Sequence, residues 1–277
     1  MNPTSLETNT CPSLATVPTH SLGQRIARLE RYLNVRFRNK LAPMVRSLAR
    51  HIPANAVVFD VGANHGEFAK QVAQLHAGTC RVFAFEPLEY NYTLLETVTR
   101  SFRNVKVIRA ALSNRQGQAD LFLPIKNASK RIGHAYGHLG REVGKEFFAG
   151  ATAKDRKVFR TLIQAETLDG VVEREQLTRL DFMKVDVEGA ENLVFSGGRH
   201  SLAKFHPVIY CEIATGMPER LGLTVHDSIR LLLELGYEMF IADEKTGGIT
   251  PCQKCHAGLD NYLFLHPHNL VTQPIKQ

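Results

Sequence analysis

Short apolar runs alternate with helical periods along this chain. Val57-Val58-Phe59 runs into Asp60, small residues recur at Gly62, Ala63 and Gly66, and Phe68, Val72 and Leu75 then take up helical spacing. That order predicts a buried parallel strand, a tight turn and a helix over about Glu67–Ala77. The alternation returns in Arg81–Phe85, closed by Glu86, followed by a helix through Asn91, Leu95 and Val98, and in Asn104–Ile108. Ala119–Leu123 reads as a strand that pairs back, closed by Pro124. Thr161–Ala165 and Leu168–Val172 lead into a further strand, Asp181–Asp186, and Pro207–Glu212 is the next. After an amphipathic helix over Val225–Leu235, stopped by Gly236, Tyr237–Ile241 and Tyr262–Leu265 are expected as a terminal hairpin at the sheet edge. Strands alternating with helices in this way predict an α/β chain wound around a parallel sheet.

Three stretches fall outside that rhythm. Residues 1–20, rich in Pro, Thr and Ser, read as a disordered tail. In residues 21–51, Leu22, Ile26, Leu29, Leu33 and Phe37 keep near-helical spacing behind a plausible Ser21 cap, and Pro43 breaks the pattern before a second short helix. Residues 125–160 lose periodicity, with glycines at 133, 137, 140, 144 and 150 around His134, Tyr136 and His138. A long polar insertion within a compact domain is commonly functional, so this one is expected to select the acceptor or act as a lid, with those three residues as candidate substrate contacts. The chain then divides into tail, basic helical extension and a domain over 52–277.

Composition narrows the picture. With 277 residues, 44% of them hydrophobic, one large core can form. No eighteen-residue apolar run marks a membrane span, and the first twenty residues lack both arginine and the apolar core of a signal peptide. Five scattered cysteines fit a reducing compartment, so a cytoplasmic protein is expected. The net charge of +7 is local: residues 21–51 carry eight Arg or Lys against Glu30, while residues 52–277 are nearly neutral. That segment either solvates a helix packed over the ligand pocket or meets an anionic membrane or a phosphorylated acceptor. No aromatic-interleaved motif accompanies the charge, so nucleic acid is not expected. Cys252-Gln-Lys-Cys255-His256 formally matches a haem attachment site, a zinc half-site or a redox pair, but the sequence offers no haem pocket and no second C-x-x-C, so two free thiols in a surface hairpin are expected.

The chemistry lies at the strand ends. The turn after Asp60 lacks the G-x-G-x-x-G of a dinucleotide site and the Gly-Lys-Ser/Thr of a P-loop. An acid followed by Gly62-x-Asn64-x-Gly66 suits a cationic ligand with an amino-acid head, and S-adenosylmethionine is such a ligand. Glu86, at the end of the next strand, stands where ribose hydroxyls are read. Lys184, Asp186 and Glu188 share one side of a strand that should be buried on both faces, so they must satisfy one another or open onto a polar site. Glu212 ends the neighbouring strand. Glu191 suits either a helix first turn or a chemical role.

Asp60-Val-Gly-Ala-Asn-His-Gly66, Phe85-Glu86-Pro87 and Lys184-Val-Asp-Val-Glu-Gly-Ala-Glu191 together resemble the FkbM-type family of S-adenosylmethionine-dependent methyltransferases, over about residues 52–266. The resemblance implies a Rossmann-like class I methyltransferase fold, with a seven-stranded, mostly parallel sheet, an antiparallel last strand and helices on both faces. It also implies donor contacts from Asp60, Gly62, Asn64, Gly66 and Glu86, with Ala111 and Leu112 walling the adenine. The implied reaction is O-methylation of a sugar, glycolipid or polyketide. Asp186 or Glu188 is then the candidate base, with Glu212 orienting it or the acceptor. The same acids could bind Mg²⁺ or Ca²⁺, a reading not favoured because no histidine joins them. Two rivals stand beside this reading: a catalytically silent S-adenosylmethionine-binding module, and an NAD-linked oxidoreductase, which the missing third glycine disfavours.

Overall fold

The computed structural model describes residues 22–37, 40–126, 131–132, 138–139, 156–214, 218–243, 246, 248–256 and 258–270. Two helices, α1 (Leu22–Phe37) and α2 (Ala42–Leu48), precede β1 (Val57–Val61), α3 (Glu67–Val72), β2 (Arg81–Phe85), α4 (Glu89–Thr99) and β3 (Val105–Ile108). Then come β4 (Ala111–Leu112), β5 (Gly117–Lys126), β6 (Arg131–Ile132), β7 (His138–Leu139) and β8 (Arg156–Glu166). The chain continues through α5 (Leu168–Arg174), β9 (Phe182–Val185), α6 (Glu191–Ser196), α7 (Arg199–Phe205) and β10 (Val208–Ala214). It closes with α8 (Val225–Glu234), β11 (Glu238–Ala242), β12 (Ile249–Pro251), β13 (Leu259–Leu265) and α9 (Pro267–Leu270).

The main sheet has the order β12-β11-β13-β10-β9-β1-β2-β3. Its β10-β9-β1-β2-β3 half is parallel throughout, whereas β13 runs antiparallel to both β10 and β11. Seven strands match the sequence expectation. The three-residue β12 adds an eighth at the edge, and β13 lies between β10 and β11 instead of at the rim. Strand order reverses at β1, which has β2 on one side and β9 on the other, so a crevice opens at the carboxyl ends of these strands.

Helices cover both faces. Phe59, Val61, Met183, Val185, Ile209 and Cys211 pack against Val171, Phe195, Leu202 and Leu232 from α5 to α8. Val58, Val82, Ala84, Phe182 and Tyr210 pack against Met44, Phe68, Val72 and Leu95 on the other side. Burial on both faces explains why these strands read as unbroken apolar runs.

A second sheet, β4-β8-β5-β6 with β7 also on β5, takes in the described residues of the stretch the sequence leaves aperiodic. β5 and β8 form one antiparallel ladder from Gly117↔Ala165 to Lys126↔Arg156. The expected stop at Pro124 does not occur. On its far edge β5 pairs with β7 at Leu121 and Phe122 and with β6 at Ile125 and Lys126, so Pro124 falls in the gap, where a missing N–H is tolerated. The expected tail, Ser21, His134 and Tyr136 lie outside the described residues, and of His138 the structure describes the backbone alone.

In α1 the packed residue is Val35, buried with Leu94 and Val98 of α4 and flanked by Tyr32. Lys70 Nζ donates to the carbonyls of Val35 (2.9 Å) and Arg36 (2.8 Å), a cation at a helix carboxyl end. The Leu41 amide donates to Glu67 Oε1 at 2.8 Å. The apolar positions that carry the helical spacing face solvent instead: Ile26, Leu29, Leu33 and Phe37 are 50%, 57%, 43% and 70% exposed. No described helix is long and apolar enough to cross a membrane.

Candidate active site

The turn after β1 is built from positive φ angles, 79° at Gly62, 49° at Asn64 and 84° at Gly66. The Gly62 and Ala63 amides donate to the Phe85 carbonyl, tying the turn to the end of β2. A Cβ on Gly62 would stand 1.9 Å from the Asp186 carbonyl oxygen, so only glycine lets this turn lie against the end of β9. Asparagine is among the few other residues that accept the left-handed region, as Asn64 does here.

Glu86 clamps the adjoining loops. Its Oε2 accepts from the Asn64 amide at 2.9 Å, its Oε1 from the Leu88 amide at 3.0 Å, and Asn91 Nδ2 lies farther off at 3.4 Å. Burial raises its pKa to about 7 in spite of those donors. Beside it a cleft of about 930 Å³ has a polar side, Glu86, Asn64 and Asn91, and an apolar side, Leu88, Ala111, Leu112 and Leu121. The Oδ1 atoms of Asn64 and Asn91 are buried without a hydrogen-bond partner, which leaves acceptors ready for a ligand's donors.

Asp186 and Glu212 line this cleft and also a second one of about 1010 Å³, which shares Gly62 and Asn64 with the first. Val35, Leu41 and Met44, from α1, α2 and the segment between them, contribute to this second cleft, with Tyr210 and Asn261 on its sheet side. His65 lines it as well, and Arg31 Nη1 of α1 lies 3.0 Å from His65 Nε2. Burial, helped by the Arg31 charge, lowers the His65 pKa to about 4, so the ring is neutral at physiological pH and can accept from the guanidinium.

Between the clefts the charges interlock. The β1–β9 register sets Asp60 beside Lys184. Lys184 Nζ donates to Asp186 Oδ2 at 2.9 Å and stands 3.9 Å from Asp60 Oδ1. Burial opposes the lysine's charge, yet the carboxylates of Asp186, Asp60 and Glu212 raise its pKa well above the ordinary amine value. Asp60 is fully buried, and neither oxygen makes a hydrogen bond of ordinary geometry. Burial raises its pKa to about 6, with Lys184 working the other way. Asp186, Glu188 and Glu212 each bring a carboxylate oxygen within 4.8 Å of the others. Glu188 sits at φ 54° and Gly189 at φ 97°, so the chain turns sharply as it leaves β9. Glu191 holds that turn: its Oε1 accepts from the Gly189 amide at 2.9 Å, and burial raises its pKa to about 7.

Of the residues singled out in sequence, Gly62, Asn64, Glu86, Ala111, Leu112, Asp186, Glu188 and Glu212 line the first cleft together. Asp60 and Gly66 are not among its lining residues: Asp60 lies beside Lys184, and Gly66 packs on Leu95. Sequence reasoning missed Leu88, Leu121 and the contribution of Val35, Leu41 and Met44, none of which carries a chemical signal. Asn91 was visible only as a helix position. Hard oxygen ligands for a divalent cation exist in the three acids, though Lys184 already supplies a cation to Asp186. Among the described residues this is the one cluster of three metal-capable groups, so Cys252, Cys255 and His256 do not form another.

The model of the methyltransferase FkbM domain matches residues 60–239. Methyltransferase sdnD of Sordaria araneosa is 28% identical over 162 residues, 53% of this chain and 62% of that protein, so the chain spans less than two thirds of this relative. Among solved structures, methyltransferase FkbM from Methylobacillus flagellatus superposes with a TM-score of 0.46 at 15% identity, covering 76% of this chain and 44% of the other. A SAM-dependent O-methyltransferase from Thermotoga maritima gives 0.39 at 12% identity, covering 89% and 72%. The family match runs from Asp60 through Glu86, Asp186 and Glu212, taking in every strand end that builds the cleft, and the chain belongs to the FkbM family of S-adenosylmethionine-dependent methyltransferases.

Proposed function

We propose that this chain methylates a hydroxyl group of a sugar, glycolipid or polyketide-like acceptor, with the donor in the first cleft and the acceptor reaching the acids from the second. The observation that carries the reading is the convergence of Asp186, Glu188 and Glu212 where the two clefts meet. The first cleft suits S-adenosylmethionine on chemical grounds. Ala111, Leu112 and Leu121 offer apolar surface to a purine, Glu86 offers a carboxylate to ribose hydroxyls, and the orphaned Asn64 and Asn91 oxygens offer acceptors to donor groups. When bound, the donor supplies an electrophilic methyl on a sulfonium, so alignment, worth roughly 7–11 kcal/mol, is the main demand on the protein.

The chain's own groups meet the remaining demand, which is a place for the hydroxyl proton. Three carboxylates this close cannot all carry charge without cost, and a proton arriving among them relieves repulsion. Lys184 fixes Asp186 by its 2.9 Å bond and so acts as a positioning residue. Asp186 or Glu188 takes the proton, while Glu212 orients the base or holds the acceptor.

The test pairs binding with turnover. Wild-type protein should bind S-adenosylmethionine by isothermal titration and release S-adenosylhomocysteine with at least one acceptor from a panel of glycans, glycolipids and hydroxylated polyketides. Asp186→Asn should keep donor affinity and lose about 10²–10⁴-fold in turnover. Unchanged turnover removes Asp186 as the base, and donor binding without turnover on any acceptor leaves the silent module standing instead.

A further inference from the structure

We propose that the outward face of α1 seats the protein on an anionic lipid surface. Ile26, Leu29, Leu33 and Phe37 follow one another at intervals of three, four and four residues, so they form a single stripe along the helix. They are four of the six large apolar side chains exposed among the described residues. Scattered exposed apolar groups need no explanation, but a continuous stripe does.

The stripe is not the result of a loosely placed helix. The opposite face is fixed by Val35 against Leu94 and Val98, by the two bonds from Lys70 to the last-turn carbonyls, and by the Arg31–His65 contact. Rotating α1 to bury the stripe would break all of these.

Charge selects the occupant. Residues 21–51 carry eight Arg or Lys against one acid, and Arg36, Lys40, Arg46 and Arg50 are exposed. Among the described residues these four make no ion pair. A second copy placed on the same face would bring two segments of charge +7 together, whereas an anionic bilayer offers both a medium for the apolar stripe and counter-charges for the arginines. A helix of 16 residues is about 24 Å long and strongly charged, so it would lie in the interface, not cross it. Val35 of the same helix lines the second cleft, and docking through α1 would bring that cleft close to the lipid.

Flotation of the full chain on vesicles tests this without reference to turnover. Wild-type protein should float with phosphatidylcholine–phosphatidylglycerol vesicles, remain behind with phosphatidylcholine alone, and be released by high salt. Leu29→Glu with Phe37→Glu, and separately Arg36→Glu with Lys40→Glu, should each lower partitioning roughly tenfold or more. All four residues are exposed, so both variants should keep the wild-type thermal midpoint. Equal flotation on neutral vesicles, or flotation indifferent to both variants, overturns the proposal. Absence of flotation on anionic vesicles also overturns it, and if sedimentation then shows a dimer that the Leu29/Phe37 variant dissolves, the occupant is a second copy.

Discussion

Asp60→Asn should make the fold more stable at neutral pH while weakening the donor site. Asp60 is fully buried, and its oxygens lack ordinary hydrogen bonds, with Lys184 Nζ 3.9 Å away as partial compensation. Its pKa is raised from 3.8 to about 6. The unfolded chain therefore loses this proton near pH 4 and the folded chain only near pH 6, so stability falls as pH rises between the two values and the deficit is complete above them. At about 1.4 kcal/mol per pKa unit the deficit is roughly 3 kcal/mol, with the attraction of Lys184 already included. Asparagine removes the charge but buries an amide in its place, returning about 1 kcal/mol, so a net gain of about 2 kcal/mol is expected. Urea unfolding at about pH 7.5 and about pH 4.5 measures it, and the gain should appear at the higher pH, shrink at the lower one and leave the m-value unchanged. A variant less stable than wild type at neutral pH, or an equal gain at both, would refute the reasoning, because Asp60 would then be stabilised as an anion. Titration with S-adenosylmethionine should show weaker binding, since the ammonium beneath the turn loses one of its two close carboxylates.

Gly62→Ala should cost about 2–4 kcal/mol in unfolding free energy and reduce donor affinity, because the new methyl would meet the Asp186 carbonyl at 1.9 Å in a residue with φ 79°. Glu86→Gln turns one acceptor toward the Asn64 or Leu88 amide into a donor, so donor affinity should fall about tenfold or more by calorimetry. In the wild type, affinity for a cationic donor should rise with pH as Glu86, which lines the first cleft, ionises near 7; a flat profile across that range contradicts the assignment of that carboxylate. Thr224→Ala removes the capping box that Thr224 and Asp227 form at the start of α8, and should lower the melting temperature by about 2–4 °C with turnover unaffected.

The strand ends were legible because parallel topology does the assembling. An apolar run that stops at an acid marks the carboxyl end of a buried strand, and once β1, β2, β9 and β10 are recognised, Glu86, Asp186 and Glu212 must meet at one edge. Cross-strand pairs were harder. That Lys184 lies beside Asp60 follows from register, which periodicity along one strand does not report. The β5–β8 wall was hidden for a related reason: its two strands lie about 40 residues apart, Pro124 imitates a terminator, and Leu121 shows its value only when its partner arrives. The helical period of α1 was plain, but not which face it buries. One well-placed valine and a lysine gripping the last carbonyls fix the helix, while four apolar side chains stay exposed.

The two parts of the site differ in how freely they can change. The floor rests on β1, β2, β9 and β10, whose side chains are enclosed on both faces, and even a methyl at Gly62 collides with backbone. Substitution there costs core packing as well as chemistry. The surrounding walls come in part from the second sheet, through Leu121, and from α1, through Val35, elements fastened by small clusters and a few polar ties. Substitution in such walls costs less core packing than substitution in the floor. α1 belongs to a wall by one face and turns the stripe of Ile26, Leu29, Leu33 and Phe37 outward by the other. Val35 lines the second cleft and no residue of α1 is among those lining the first, so changes in α1 should alter turnover across an acceptor panel before they alter donor affinity by calorimetry.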